Sequence, residues 1–132
     1  MYPISFELRY QYPSRVEGIF LPVTLRIGQE TVSINAAVDT GASFCLFSRS
    51  VAEAIGIDVE SGLPQTFASA AGHVEAFGHS VQLTVFDMNV EAVVFFFASG
   101  NIQKNLLGRR GWLDRILFGV DEYQQTVYLL QK

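Results

Sequence analysis

The chain has 132 residues, 13 acidic against 9 basic, and a formal net charge of −4; this fits one domain with its own core and excludes a basic face that could track phosphates, so nucleic acid is not an expected partner. Its single cysteine, Cys45, excludes an internal disulfide and reads as a small buried hydrophobe rather than a nucleophile. No apolar run approaches the length of a membrane span, and Met1–Ser5 lacks a basic segment followed by an apolar one, so the expectation is a cytoplasmic protein with no membrane partner.

In chain order, Ile4, Phe6, Leu8 and Tyr10 alternate with Ser5, Glu7 and Arg9, the period of a strand with one apolar face. Tyr12, Pro13 and Ser14 break it. Gly18 to Ile27 follows as a long strand with Val23, Leu25 and Ile27 on one face; Pro22 has no N–H to donate, which places that part at an edge or a bulge. A short turn, Ile27-Gly28-Gln29-Glu30, leads as a hairpin into a strand where Val32, Ile34, Ala36 and Val38 alternate with Ser33, Asn35 and Ala37. That strand ends on Asp39, and Phe44 to Phe47 resume a buried one. A lone carboxylate between two apolar strands is costly unless it is hydrogen-bonded, paired or protonated, so its presence there points to a use.

Downstream, Ser48 to Gly56 reads as a short helix with Ser48 as N-cap and Gly56 as the stop. Thr66–Ala70 and His73–Phe77 flank a tip of Ala70, Ala71 and Gly72, a projecting hairpin. Two more strands, around Val81 to Val85 and Val90 to Phe96, join near Asp87, Met88 and Asn89. Leu106, Leu107, Gly108 and Arg109 precede a predicted short helix from Trp112 to Ile116, a strand near Leu117–Val120 and a last strand over Thr126–Leu130. The chain carries no internal repeat and only one Asp-Thr-Gly triplet.

Asp39, Thr40, Gly41 and Ala42 between two apolar strands, with Leu106, Leu107, Gly108 and Arg109 after the hairpin, resemble the two signatures of the single-domain, retropepsin-like aspartic proteases. The resemblance implies an all-β, closed, barrel-like fold over residues 1–132, with one or two short helices and a flap hairpin. It implies an aspartic endopeptidase in which two carboxylates share one water: the ionised one takes its proton, the protonated one hydrogen-bonds the substrate carbonyl. One chain supplies one such carboxylate, so a homodimer is implied, with Asp39 of each subunit at the two-fold axis, acting on a peptide or protein substrate without a cofactor or metal. Thr40 would interlock across the axis and Gly41 would hydrogen-bond substrate backbone. Ala42 and Ser43 would line the substrate site with the flap tip Ala70, Ala71 and Gly72, while Leu106, Leu107, Gly108 and Arg109 would support the turn from behind. Ala42 cannot donate a hydrogen bond to the ionised pair as Ser or Thr would, which implies an activity optimum nearer neutrality than in stomach-type enzymes.

Two departures stand beside this. Ser43 occupies the position where retroviral members usually carry an acidic residue that pairs with the later Arg, and Ala70 and Ala71 replace flap glycines. The alternative is a catalytically silent module that keeps the fold to bind extended peptide or to dimerise. His73 and His79 lack partners at metal-ligand spacing. Tyr2, Tyr10, Tyr12, Tyr123 and Tyr128 gather near the termini, where they serve either a dimer interface or the core.

Overall fold

The structure, a computed structural model, describes residues 1–14, 18–70 and 72–132. Its strands are β1 (Leu8–Gln11), β2 (Phe20–Ile27), β3 (Glu30–Val38), β4 (Leu46–Phe47), β5 (Leu63–Ser69), β6 (Gly72–Val85), β7 (Met88–Phe97), β8 (Leu106–Leu107), β9 (Ile116–Asp121) and β10 (Thr126–Gln131); the α-helix is α1 (Arg49–Ala54). Seven strands lie in the order β2-β3-β8-β4-β7-β6-β5, and β2 also pairs with β6, so the sheet closes into a ring and only β5 stands outside it. Strands β1, β10 and β9 form a separate three-stranded sheet.

The β2–β3 hairpin follows the sequence pattern closely. Leu21, Val23 and Leu25 are buried on one face, and Gly28 takes the positive φ, 58°, that the first of two turn residues needs. Pro22 pairs with Asn35 of β3 on one side, but pairing with β6 starts only at Val23, so no ladder on the other side reaches the proline.

Strand β6 departs from expectation: the two segments read separately are one strand of 14 residues. It pairs with β5 from Gly72 to Gly78, with β7 from Ala76 to Val85 and with β2 from Gln82 to Val85. Gly78 permits this change of partner, because a Cβ there would lie 2.9 Å from the Phe95 ring. The turn into β7 uses Phe86 and Asp87, with Phe86 at φ 57° and its ring 4.9 Å from that of Tyr10. The helix predicted over Trp112–Ile116 reduces to a single 3-10 turn, Leu113–Arg115, because Gly111 enters it at φ 105° and β9 already begins at Ile116. Helix α1 forms, but Ser48 caps it without a side-chain bond; its hydroxyl meets Ser50 Oγ and its N–H donates to Asn105 Oδ1. Arg49 ties α1 to the rest of the fold by a two-pronged pair with Glu60 and a bond to the Ala98 carbonyl, which lowers the Glu60 carboxyl below its ordinary value.

The main core runs from Leu21 and Leu25 through Phe47, Leu83, Phe96 and Leu107 to Trp112 and Leu129. Trp112 packs edge-on against Phe118. Three of the five tyrosines are taken up within the chain: Tyr12 is buried and donates to Glu122, Tyr10 meets Phe86, and Tyr128 meets Phe6, while Tyr2 and Tyr123 are exposed. A smaller cluster of Leu46, Ala76, Phe95 and Phe97, with Phe44, Phe67, Val74, Ile102 and Leu106 packed on it, lies beside the Asp39 turn. Among the described residues no helix is long and apolar enough to cross a membrane.

Candidate active site

The turn that carries Asp39 lies where two short pairings meet on β8. β3 runs parallel to β8, with Ala37 opposite Leu106 and Val38 opposite Leu107, while Leu106 also pairs antiparallel with Leu46 of β4. Each strand end is apolar and buried or half-buried, so the chain leaves the core at Val38 and re-enters it at Phe44. The five residues between pair with no strand, and backbone bonds at Asp39, Ala42 and Ser43 hold the turn instead.

Those bonds can be followed residue by residue. The Asp39 N–H donates to the Leu107 carbonyl at 2.9 Å, and the Ala42 N–H returns to the Asp39 carbonyl at 3.2 Å. The Ala42 and Ser43 carbonyls accept from the Arg109 and Arg110 N–H groups, each at 2.9 Å. Leu107 and Gly108 are buried, and a Cβ on Gly108 would stand 2.1 Å from the Phe44 carbonyl oxygen and 2.9 Å from that of Ala42. Only glycine lets the two segments come this close. Cys45 completes the seam: its Sγ accepts the Gly108 N–H at 3.4 Å, and burial pushes the thiol up to about 11.

The Asp39 side chain is half-buried rather than enclosed, and its Oδ1 accepts the Gly41 N–H at 2.9 Å. A side chain on Gly41 would crowd that oxygen at 3.2 Å. The carboxylate opens into a groove of about 1280 Å³, with Gly41, Ala42 and Ser43 along the same wall. Facing them are Phe67, Ala68 and Ser69 of β5 and His73, Val74 and Glu75 of β6. The loop from Ala98 to Lys104 closes the far end. Phe44, Phe67 and Phe95 pack edge to face with centroids 4.7 to 6.0 Å apart, which joins the base of the β5–β6 hairpin to the turn.

The projecting hairpin is present, but its tip differs from expectation: Gly72 is the first residue of β6 and pairs with Ser69. Ala70 is exposed and does not line the groove, and Ala71 lies outside the described residues. Thr40 is exposed at the edge of the turn. It lines, with Ser43, Phe44, Arg109, Arg110, Leu113 and Asp114, a second cavity of about 660 Å³. Sequence reasoning missed Phe67, His73 and the 98–104 loop, which reach the groove only because β6 folds back along β7. It also missed Asn105, whose carbonyl accepts the Ala37 N–H and whose side chain caps Ser48. Its place directly before Leu106 was the available signal. Among the described residues no group of three or more His, Cys, Asp or Glu side chains stands close enough to hold a metal ion.

A family profile described as aspartyl protease matches residues 23–110, a span running from β2 through the turn and the hairpin to the Arg109–Arg110 pair. No curated protein sequence matches the chain. Among solved structures, a retropepsin-like aspartic protease from Rickettsia conorii superposes with a TM-score of 0.70 at 20% identity, over 93% of this chain and 97% of that one. EIAV protease complexed with the inhibitor HBY-793 superposes with a TM-score of 0.56 at 17% identity, over 74% and 88%. At such identities the likeness is one of fold. Profile and architecture agree: the chain belongs to the aspartyl protease family and has its retropepsin-like fold.

Proposed function

We propose that the protein is an aspartic endopeptidase acting as a homodimer, with Asp39 as its catalytic residue and residues 1–132 forming one domain. One observation carries the reading. Asp39 stands half-buried at the wall of an open groove, on a turn held by backbone bonds at Asp39, Ala42 and Ser43, with Thr40 exposed beside it. Such a turn can present its carboxylate to a second copy without rearrangement, and preorganised geometry is what proton transfer to and from a water demands.

In that dimer the two Asp39 carboxylates face each other across one water and share one proton, since like charges in contact resist double ionisation. The ionised carboxylate takes a proton from the water as its oxygen attacks the peptide carbonyl; the protonated one donates to the carbonyl oxygen as negative charge develops there. The proton then passes to the amide nitrogen as the C–N bond breaks. Thr40 of each subunit braces the pair, and Gly41 offers its backbone to an extended substrate held under the β5–β6 hairpin as an added strand. The groove wall of Leu46, Phe67, Val74, Ile102 and Leu106 favours apolar side chains near the scissile bond. Ala42 offers no hydroxyl to the ionised pair, which sets the optimum nearer neutrality, and Ala42→Ser should move the acid limb of the pH profile downward. The free thiol of Cys45 accords with a reducing, cytoplasmic setting.

The deciding test is a peptide-library assay across pH on the wild type and on Asp39→Asn, with sedimentation of both. Two dimers, of which only the wild type cleaves, with a loss on the order of 10³-fold or more in the variant, are expected. Two dimers that bind peptide and cleave nothing at any pH would mean a silent peptide-binding module instead.

A further inference from the structure

The β5–β6 hairpin leaves the ring at one corner. Its first leg, β5, begins at Leu63, opposite Gly78, which is the last residue that the second leg, β6, pairs with it. Just before Leu63 the chain makes a 3-10 turn, Val59–Ser61, and the Val59 side chain is buried in the main core. The Val59 carbonyl accepts the Gly62 N–H at 3.2 Å, and His79 Nε2 of β6 lies 2.9 Å from the same oxygen. A carbonyl can only accept, so Nε2 carries the hydrogen there. The imidazole is half-buried, its ring 5.9 Å from that of the buried Phe96. Gly62 is pressed against it: a Cβ would stand 2.5 Å from the Gly78 carbonyl oxygen and closer still to His79 Nε2.

A second tie reaches this corner from α1. Arg49 Nη1 and Nη2 donate to the two Glu60 carboxylate oxygens at 2.6 and 2.7 Å, and Nη1 also donates to the Ala98 carbonyl at 2.9 Å. Glu60 belongs to the 3-10 turn at the root of the hairpin, and Ala98 opens the loop that closes the far end of the groove. The Ala98 N–H in turn donates to the Glu75 carbonyl of β6 at 3.0 Å. The spacing between hairpin and loop is thus set partly by two side chains, His79 and Arg49, that line neither the groove nor the Thr40 cavity. We infer that both are positioning residues: His79 pins the root of the hairpin to the ring, Arg49 sets its distance from the 98–104 loop, and together they fix how far the groove opens to an extended peptide. The effect on peptide rests on the proposed peptidase reading, whereas the pin does not.

The test reads amide hydrogen exchange by mass spectrometry, together with peptide cleavage, on the wild type, His79→Leu, His79→Gln and Glu60→Gln. Leucine removes the donor, so exchange should quicken about fivefold over Leu63–Ser69 while β2, β3 and the Asp39 turn keep their wild-type rates. KM for peptide should rise by a similar factor with kcat little changed, since no group at the reacting atoms is touched. Glutamine can extend an N–H to the Val59 carbonyl, so His79→Gln should restore most of both values. Glu60→Gln lies at the surface and reads the same hairpin without disturbing the core; exchange there should quicken about twofold, and high salt should bring the wild type toward it. Exchange that quickens evenly around the ring, or nowhere, overturns the pin, and so does leucine serving as well as glutamine. Quickening confined to the hairpin with KM unmoved overturns the role in admitting peptide. A protein that cleaves no peptide overturns the peptidase reading, and the exchange rates then decide the pin by themselves.

Discussion

Around Asp39 the chain is clamped from behind by Leu107, Arg109 and Arg110, and a buried glycine touches the turn's own carbonyl oxygens. Across the groove, β5 has six of its seven residues exposed and leans on the ring through β6 and the half-buried Phe67 alone. One wall of the groove is thus fixed by contacts that cannot stretch, and the other by a ladder and one aromatic seam. Groups that must hold a reacting atom within a fraction of an ångström belong on the first, and groups that must admit and cover a peptide belong on the second. The same kind of substitution should therefore have very different consequences on the two walls.

The largest effect is expected for Gly108→Ala. The added Cβ meets Phe44 and Ala42 backbone oxygens that cannot swing aside, so the cost should be at least about 3 kcal/mol, or failure to fold. Chemical denaturation measures it. A variant within about 0.5 kcal/mol of the wild type would show that the turn can give way, and the contrast between the walls would be lost.

Next comes the thiol that seals the same seam. Cys45, pushed up to about 11 from its ordinary 9.0, ionises earlier in the unfolded chain than in the fold. Its contribution is complete below pH 9, where both states are neutral, and is lost as pH rises toward 11; two pH units correspond to about 3 kcal/mol at most. Urea midpoints between pH 8 and pH 11 should fall more steeply for the wild type than for Cys45→Ala, although the variant starts lower for want of the sulfur. The Tyr12 hydroxyl, pushed up to about 12 by burial and by Glu122, titrates in both proteins and cancels in the difference. Parallel curves would mean that the seam is open to water.

How much of this contrast could be read from the sequence follows the range of the contacts. The β2–β3 hairpin and the Asp39 turn were legible because period-two alternation, a turn glycine and a motif are local. The single strand β6 was not, because Gly78 interrupts its pattern at the point where it passes from β5 to β7. The turn at Leu113–Arg115 was read as a longer helix because Trp112, Leu113 and Ile116 have helical spacing, while Gly111's backbone conformation, which cuts it short, leaves no mark on that spacing. The closeness of Gly108 to Phe44 and the meeting of Ser43 with Arg109 and Arg110 arise from pairings between distant segments, which no window of sequence contains.

A smaller effect is expected at the aromatic seam. Phe67→Ala removes ring contacts with Phe44 and Phe95 at 6.0 and 5.6 Å from a half-buried position, so the loss should be about 1 to 2 kcal/mol. If the hairpin is the covering wall, the variant should raise KM for peptide with kcat little changed, because the hairpin is then less well seated over the groove. Equal loss of kcat with KM unchanged would place Phe67 with the turn rather than with the cover.

The smallest effect isolates conformation from contact. Gly72 begins β6 at φ 114°, and a Cβ there would meet nothing within 4 Å. Gly72→Ala is thus the same chemical change as Gly108→Ala with an unfavourable backbone angle in place of the steric clash, a cost of about 1 kcal/mol. Its thermal midpoint should fall by a few degrees while Gly108→Ala loses its cooperative transition or most of its stability. If the two variants proved equally damaging, packing behind the turn would not be what distinguishes the walls, and the glycine at the head of β6 would have to be held as tightly as the one behind Asp39.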